Sequence, residues 1–164
     1  MRRRALAALV VVVAIFGWSG AASAQTGPQR FVRYQGPDDE NFTVYASGPI
    51  SGVGTDYLLD EGVDPAGRTQ RMTETVFAEG STFNTLTVQD NSLSLDPRTC
   101  VARITGRSHL EITGGSGAYE GVTGSGEVTF HAISIAERTP TGCSRTNTRT
   151  YSVAHITGSA SLPA

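Results

Sequence analysis

Two carboxylates occupy positions where a strand pattern would set them among apolar residues. Asp56 shares the parity of Ile50 and Leu58, and Glu74 that of Met72 and Val76. A carboxylate on an apolar face is costly to bury unless it is paired or employed. Asp56 and Glu74 are therefore the candidate polar groups of an internal ligand site. Glycine-borne bends beside Asp56 leave its facing open to reversal.

Other chemistries lack their residues. His109, His131 and His155 fall in three separate strand-like segments, none two or four residues from another, so no metal site is expected. The chain has no lysine, which removes Schiff-base chemistry and the phosphate-binding lysine of a P-loop. No G-x-S-x-G elbow is present, so no hydrolase triad is supported. The stretch "ITGGSGAYEGVTGSGEV", residues 112 to 128, holds six glycines. A dinucleotide fingerprint would need a third glycine where Glu120 stands, and a helix where "VTGSGEVTF" reads as a strand. The stretch is a β-corner, and neither a catalytic residue nor a cofactor is assigned.

Arg2 to Arg4, the apolar run from Ala5 to Phe16 and Ala22-Ser23-Ala24 have the form of a secretory signal peptide, residues 1–24. The apolar run is shorter than the ~20 residues of a spanning helix. The expected location is secreted or extracytoplasmic, with no stable membrane insertion after cleavage. Formal charge is −2 and falls further without the leader arginines, so no basic patch invites nucleic acid. Export makes a disulfide the default for the two cysteines, Cys100 and Cys143.

Glycine, serine and threonine supply more than a third of the residues after Ala24, and helix formers never cluster. Residues 25–41 are polar and read as a leader. Strand patterns follow at 42–46, 50–59, 70–77, 82–89, 101–113, 126–136 and 150–162, seven to eight strands if the longest split. "DEGVDPAGR" (60–68) and "DPRTC" (96–100) carry turn chemistry. Along 103–111, Arg103, Thr105, Arg107, His109 and Glu111 alternate with Ala102, Ile104, Leu110 and Ile112, the pattern of a strand with one face to solvent. "ISGVG" (50–54), "VTGSG" (122–126), "ITGSA" (156–160) and "ITG" (104–106) repeat a β-branched, hydroxyl and glycine theme. Repeated strand glycines are what a sheet uses to curl shut, so 42–164 is expected to be an all-β barrel rather than a sandwich. If 101–113 and 126–136 form a hairpin, both cysteines fall at the same end of it, where a bridge is easy to make.

Gly114-Gly115-Ser116-Gly117-Ala118-Tyr119, followed by Gly121 and Gly124, resembles the glycine corner of the allene oxide cyclase and dirigent-like β-barrels. "ASGPISGVGTDYLL" (46–59) is similar to the first long strand of secreted bacterial members, and "DPRTC" with the later Cys143 to their paired cysteines. The resemblance implies a closed antiparallel barrel of about eight strands, often with an apolar cavity, in proteins that shape greasy substrates. The corner residues Gly114, Gly115, Gly117, Tyr119 and Gly121 carry the fold and transfer no activity. The expectation is a barrel binding a small hydrophobic ligand. The alternatives are an isomerase or cyclase using Asp56 or Glu74, and an interaction module whose interior is filled by Phe77, Phe83 and Phe130.

Overall fold

The computed structural model describes residues 24–164. The expected signal peptide, apart from Ala24, lies outside the described residues. Eight strands follow in order: β1 Gln25–Gln35, β2 Phe42–Ser47, β3 Gly52–Val63, β4 Thr69–Phe77, β5 Gly80–Asp96, β6 Val101–Gly117, β7 Thr123–Thr139 and β8 Gly142–Leu162. Each pairs antiparallel with the next, and β1 pairs with β8 from Gln25↔Leu162 to Gln35↔Ser152, so the sheet closes into a ring.

That closure corrects one expectation. Residues 25–35 are not a leader but the strand that shuts the ring. Gln29, Phe31 and Arg33 are buried at alternate positions there, between exposed Arg30 and Tyr34. Two of these three inward groups are polar, which hid the strand's period from a hydrophobicity reading.

The recurring glycines make room as well as bends. "VTGSG" and "ITGSA" are cross-strand partners, with Gly124 opposite Ala160 and Gly126 opposite Gly158. A Cβ on Gly158 would collide with the Ser125 carbonyl, so β7 and β8 can approach this closely only with glycine there. Gly54 likewise leaves space for the Phe77 ring and Gly106 for the Phe130 ring.

The base of the barrel is filled. Val44, Ile50, Leu110, Ile112, Val122, Val128 and Ile156 are at most 2% exposed. The glycine corner folds over this end, and Tyr119, 3% exposed, stacks edge-on against Phe77 with ring centres 5.5 Å apart. Its hydroxyl donates to the Ser51 carbonyl at 3.0 Å. The turn depends on left-handed backbone at Gly117 (φ 61°) and Gly121 (φ 72°), which glycine adopts without steric cost.

The opposite end is different. β4 last pairs with β5 at Gln70↔Thr87, and β1 last pairs with β8 at Ser152. β5 to β8 run on past the ring as a four-stranded tongue. The disulfide Cys100–Cys143 ties its tip, with Cα atoms 5.4 Å apart. The Ala136 amide donates to the Cys100 carbonyl at 2.9 Å, and Arg138 donates to the carbonyls of Pro97 and Arg98. These contacts hold Cys100 in a left-handed conformation (φ 57°) that non-glycine residues seldom adopt.

Candidate functional site

Strand alternation carries Asp56 to the inside, where it is 4% exposed. Arg33, from β1, meets it as a two-pronged ion pair: Nη1 to Oδ2 at 3.1 Å and Nη2 to Oδ1 at 3.2 Å. Thr75 donates to Asp56 Oδ1 at 2.6 Å, and Asn84 Nδ2 donates to Thr75 Oγ1 at 3.1 Å. All four side chains are buried. On the short β2 between β1 and β3, Val44 stands in the row of Arg33 and Gly54 and Phe42 stands opposite Asp56, so the guanidinium reaches the carboxylate diagonally across β2.

Burial pulls the Arg33 pKa below its ordinary value and the Asp56 charge pushes it back up. Two buried opposite charges in this geometry satisfy one another rather than a third party. A carboxylate has roughly four acceptor sites, and three at Asp56 are filled by protein donors. Asp56 is therefore poorly placed as a general base.

The cluster still has unused polar capacity. Arg33 Nε, Thr73 Oγ1 and Ser152 Oγ are buried without a hydrogen-bond partner. Thr73 pairs with Leu58 and Asn84, one row beyond the Asp56–Thr75 row toward the open end. Ser152 stands beside Gln35, one inward step beyond the Ala154 that faces Arg33. Thr73 and Ser152 lie on the side of the cluster away from the filled base. Unpaired buried donors of this kind call for a ligand or a water.

Exposure on the inner wall rises steeply past this level. Leu86 and Phe130 are partly buried, while Leu58 is 57% and Leu93 67% exposed. A single cross-strand row connects the ion pair to the wall: Arg33 faces Ala154, Ala154 faces Phe130, Phe130 faces Gly106, and Gly106 faces Asn91. A shallow, open depression of about 330 Å³ lies on the other, outer face of the sheet at this level, between the Asp90–Arg107–Thr129 and Ser92–Thr105–His131 rows. Asn91, Gly106 and Phe130 form its floor, so the sheet separates it from the Arg33 side. Its size is at the lower end for small-molecule sites.

The other candidates fall elsewhere. Glu74 stands on the outer face between Tyr57 and Phe83, because Thr73 and Thr75 take the inward positions on β4. Its apolar companions Met72 and Val76 are themselves exposed, at 44% and 39%. Phe83 also faces outward, so of the three phenylalanines expected inside only Phe77 is fully enclosed. The three histidines sit on the outer face, His109 within 3.0 Å of Glu127. Sequence reasoning missed Arg33, Thr75 and Asn84. Arg33 carried the one usable signal: in "RFVRY" it shares the parity of Phe31.

No known protein family, curated protein or solved structure matches this chain.

Proposed function

We propose that this is an exported binding protein that holds a small, largely apolar molecule at the open end of its barrel. The molecule would lie against Leu58, Leu86 and Phe130 and reach down toward Arg33. The observation that carries this reading is the set of unpaired buried polar atoms, Arg33 Nε and Thr73 Oγ1, directly beneath an exposed apolar wall. The Arg33–Asp56 pair is electrically balanced, so burying a ligand carboxylate beside it would leave a net charge out of water. A neutral oxygen acceptor, such as a carbonyl, hydroxyl or ether, suits two donors without that penalty.

The fold supports a relationship to the allene oxide cyclase and dirigent-like barrels through its eight-strand ring and its Tyr119 corner. A cyclase reading is less favoured, because Asp56, the one buried carboxylate among the described residues, is engaged by Arg33 and Thr75. The disulfide is compatible with an extracytoplasmic location. No helix among the described residues is long and apolar enough to cross a membrane. A membrane-spanning barrel is disfavoured as well: Arg107, Glu111 and Glu127 stand on the outer face, where spanning barrels carry an apolar band.

Native mass spectrometry of the protein purified from its own host tests the reading. The expected result is a co-purified neutral molecule that is lost in an Arg33→Met, Asp56→Leu double variant that still folds. A bare polypeptide mass, together with no uptake of an apolar fluorophore such as 1-anilinonaphthalene-8-sulfonate at micromolar protein, would remove it.

A further inference from the structure

The tongue has two free edges, and they are unlike. From Asp90 to Asp96, β5 pairs with β6 alone among the described strands. From Gly142 to Tyr151, β8 pairs with β7 alone. Such an edge offers unpaired backbone donors and acceptors to any strand that can lie beside it. Natural edges are usually protected by charge, proline or a bulge. The β8 edge has that protection in Arg145 and Arg149, both exposed. The β5 edge carries charge only at its ends, Asp90 and Asp96, just past the bulge at Val88/Asp90; Asn91-Ser92-Leu93-Ser94-Leu95 between them has no protection, and Leu93 and Leu95 are 67% and 55% exposed.

We propose that a second copy of this chain pairs with the first along β5, antiparallel, about a twofold axis through Ser94. An isologous contact of this kind is self-complementary and closes at two copies. Side-chain pairing selects the register. It sets Leu93 opposite the partner's Leu95, and Leu95 opposite the partner's Leu93, so four leucines meet on one face. It also sets Ser92, and not a second carboxylate, opposite the partner's Asp96. Moving the axis to Leu93 would instead place Asp90 against the partner's Asp96, and like charges directly opposed are destabilising. A one-residue slip would set leucine against serine on every row.

Pairing in this register joins two four-stranded tongues into one eight-stranded sheet. The leucine cluster then covers inner-face surface that each tongue by itself leaves to solvent. The proposal does not depend on a ligand, since it uses the tip of the tongue rather than the Arg33 row.

Sedimentation velocity of the exported, disulfide-bonded chain across a concentration series tests the stoichiometry, and cysteine placement tests the register. Residues directly opposite in an antiparallel pair have Cα atoms about 4.5–5.5 Å apart, within the range a disulfide spans. Ser94→Cys is expected to yield a covalent dimer on a non-reducing gel. Ser92→Cys, which would face the partner's Asp96, is expected to remain at monomer mass. Leu93→Lys should move the sedimenting species from dimer to monomer. A chain that stays monomeric throughout the series, a ladder of species larger than a dimer, or cross-linking from Ser92→Cys as efficient as from Ser94→Cys would each overturn the proposal.

Discussion

The base of the barrel and its tongue are made from the same strands, yet they behave as different materials. At the base, β6, β7 and β8 bury Leu110, Val128 and Ile156 to within 2% of full enclosure. A few residues along, on the inner face of the tongue, β5 leaves Leu93 and Leu95 at 67% and 55% exposure. Strand propensity is similar in both places. The difference is closure. Where eight strands surround the interior, each inward side chain has partners on all sides. Where only four continue, the inner face has no opposite wall. Apolar packing therefore holds the base, while covalent and polar ties hold the tip.

The largest expected effect tests the boundary between the two. Asp56→Ala leaves the Arg33 guanidinium buried and unpaired, which should cost about 3–5 kcal/mol in denaturant unfolding. The Arg33→Met, Asp56→Leu double variant should regain most of that loss, because removing both charges removes the stranded one. Equal loss in the single and double variants would show that the pair contributes packing rather than charge balance.

Next comes the tip. Replacing Cys100 and Cys143 by serine opens a bridge between residues 43 apart in sequence, expected to cost about 2–4 kcal/mol. Hydrogen exchange should show the loss concentrated in β5–β8 beyond the ring, with amides at Ile50 and Leu110 still protected. Uniform loss across the barrel would mean that base and tongue unfold as one unit.

Smaller effects sharpen the contrast. Tyr119→Phe removes the hydroxyl's bond to the Ser51 carbonyl and should cost about 1 kcal/mol. Burial, and then the nearby Glu79 charge, raise the Tyr119 pKa. A phenol raised in the folded state adds stability that is fully present below its unfolded value of about 10. That stability is lost as pH climbs through the higher folded value. Wild-type protein should therefore lose stability in this alkaline range by more than Tyr119→Phe does, as measured by urea midpoints. Smallest of all, Leu95→Ser in dilute, unassociated protein should change stability by less than about 0.5 kcal/mol, against about 2–5 kcal/mol for Ile50→Ala.

Much of the scaffold could be read from residues alone. Alternation in 101–113 separated inside from outside correctly, and the turn residues of "DPRTC" placed Cys100 at the tip that it shares with Cys143. The glycine corner was legible because its left-handed positions, Gly117 and Gly121, favour glycine. Asp56 was singled out by the cost of burying a charge, and it is buried. Glu74 was singled out by the same logic and stands outside. Parity says which residues share a face, but not which face looks inward.

The residues thus determined local matters: extended backbone with glycine where it must turn or approach closely, and cysteines positioned to bridge. Closure decided the rest. Only when β1 met β8 did an inside exist, and only then did Arg33 find Asp56 across two strand boundaries. Such a partnership has no period along the chain, because it depends on the curvature of the whole sheet.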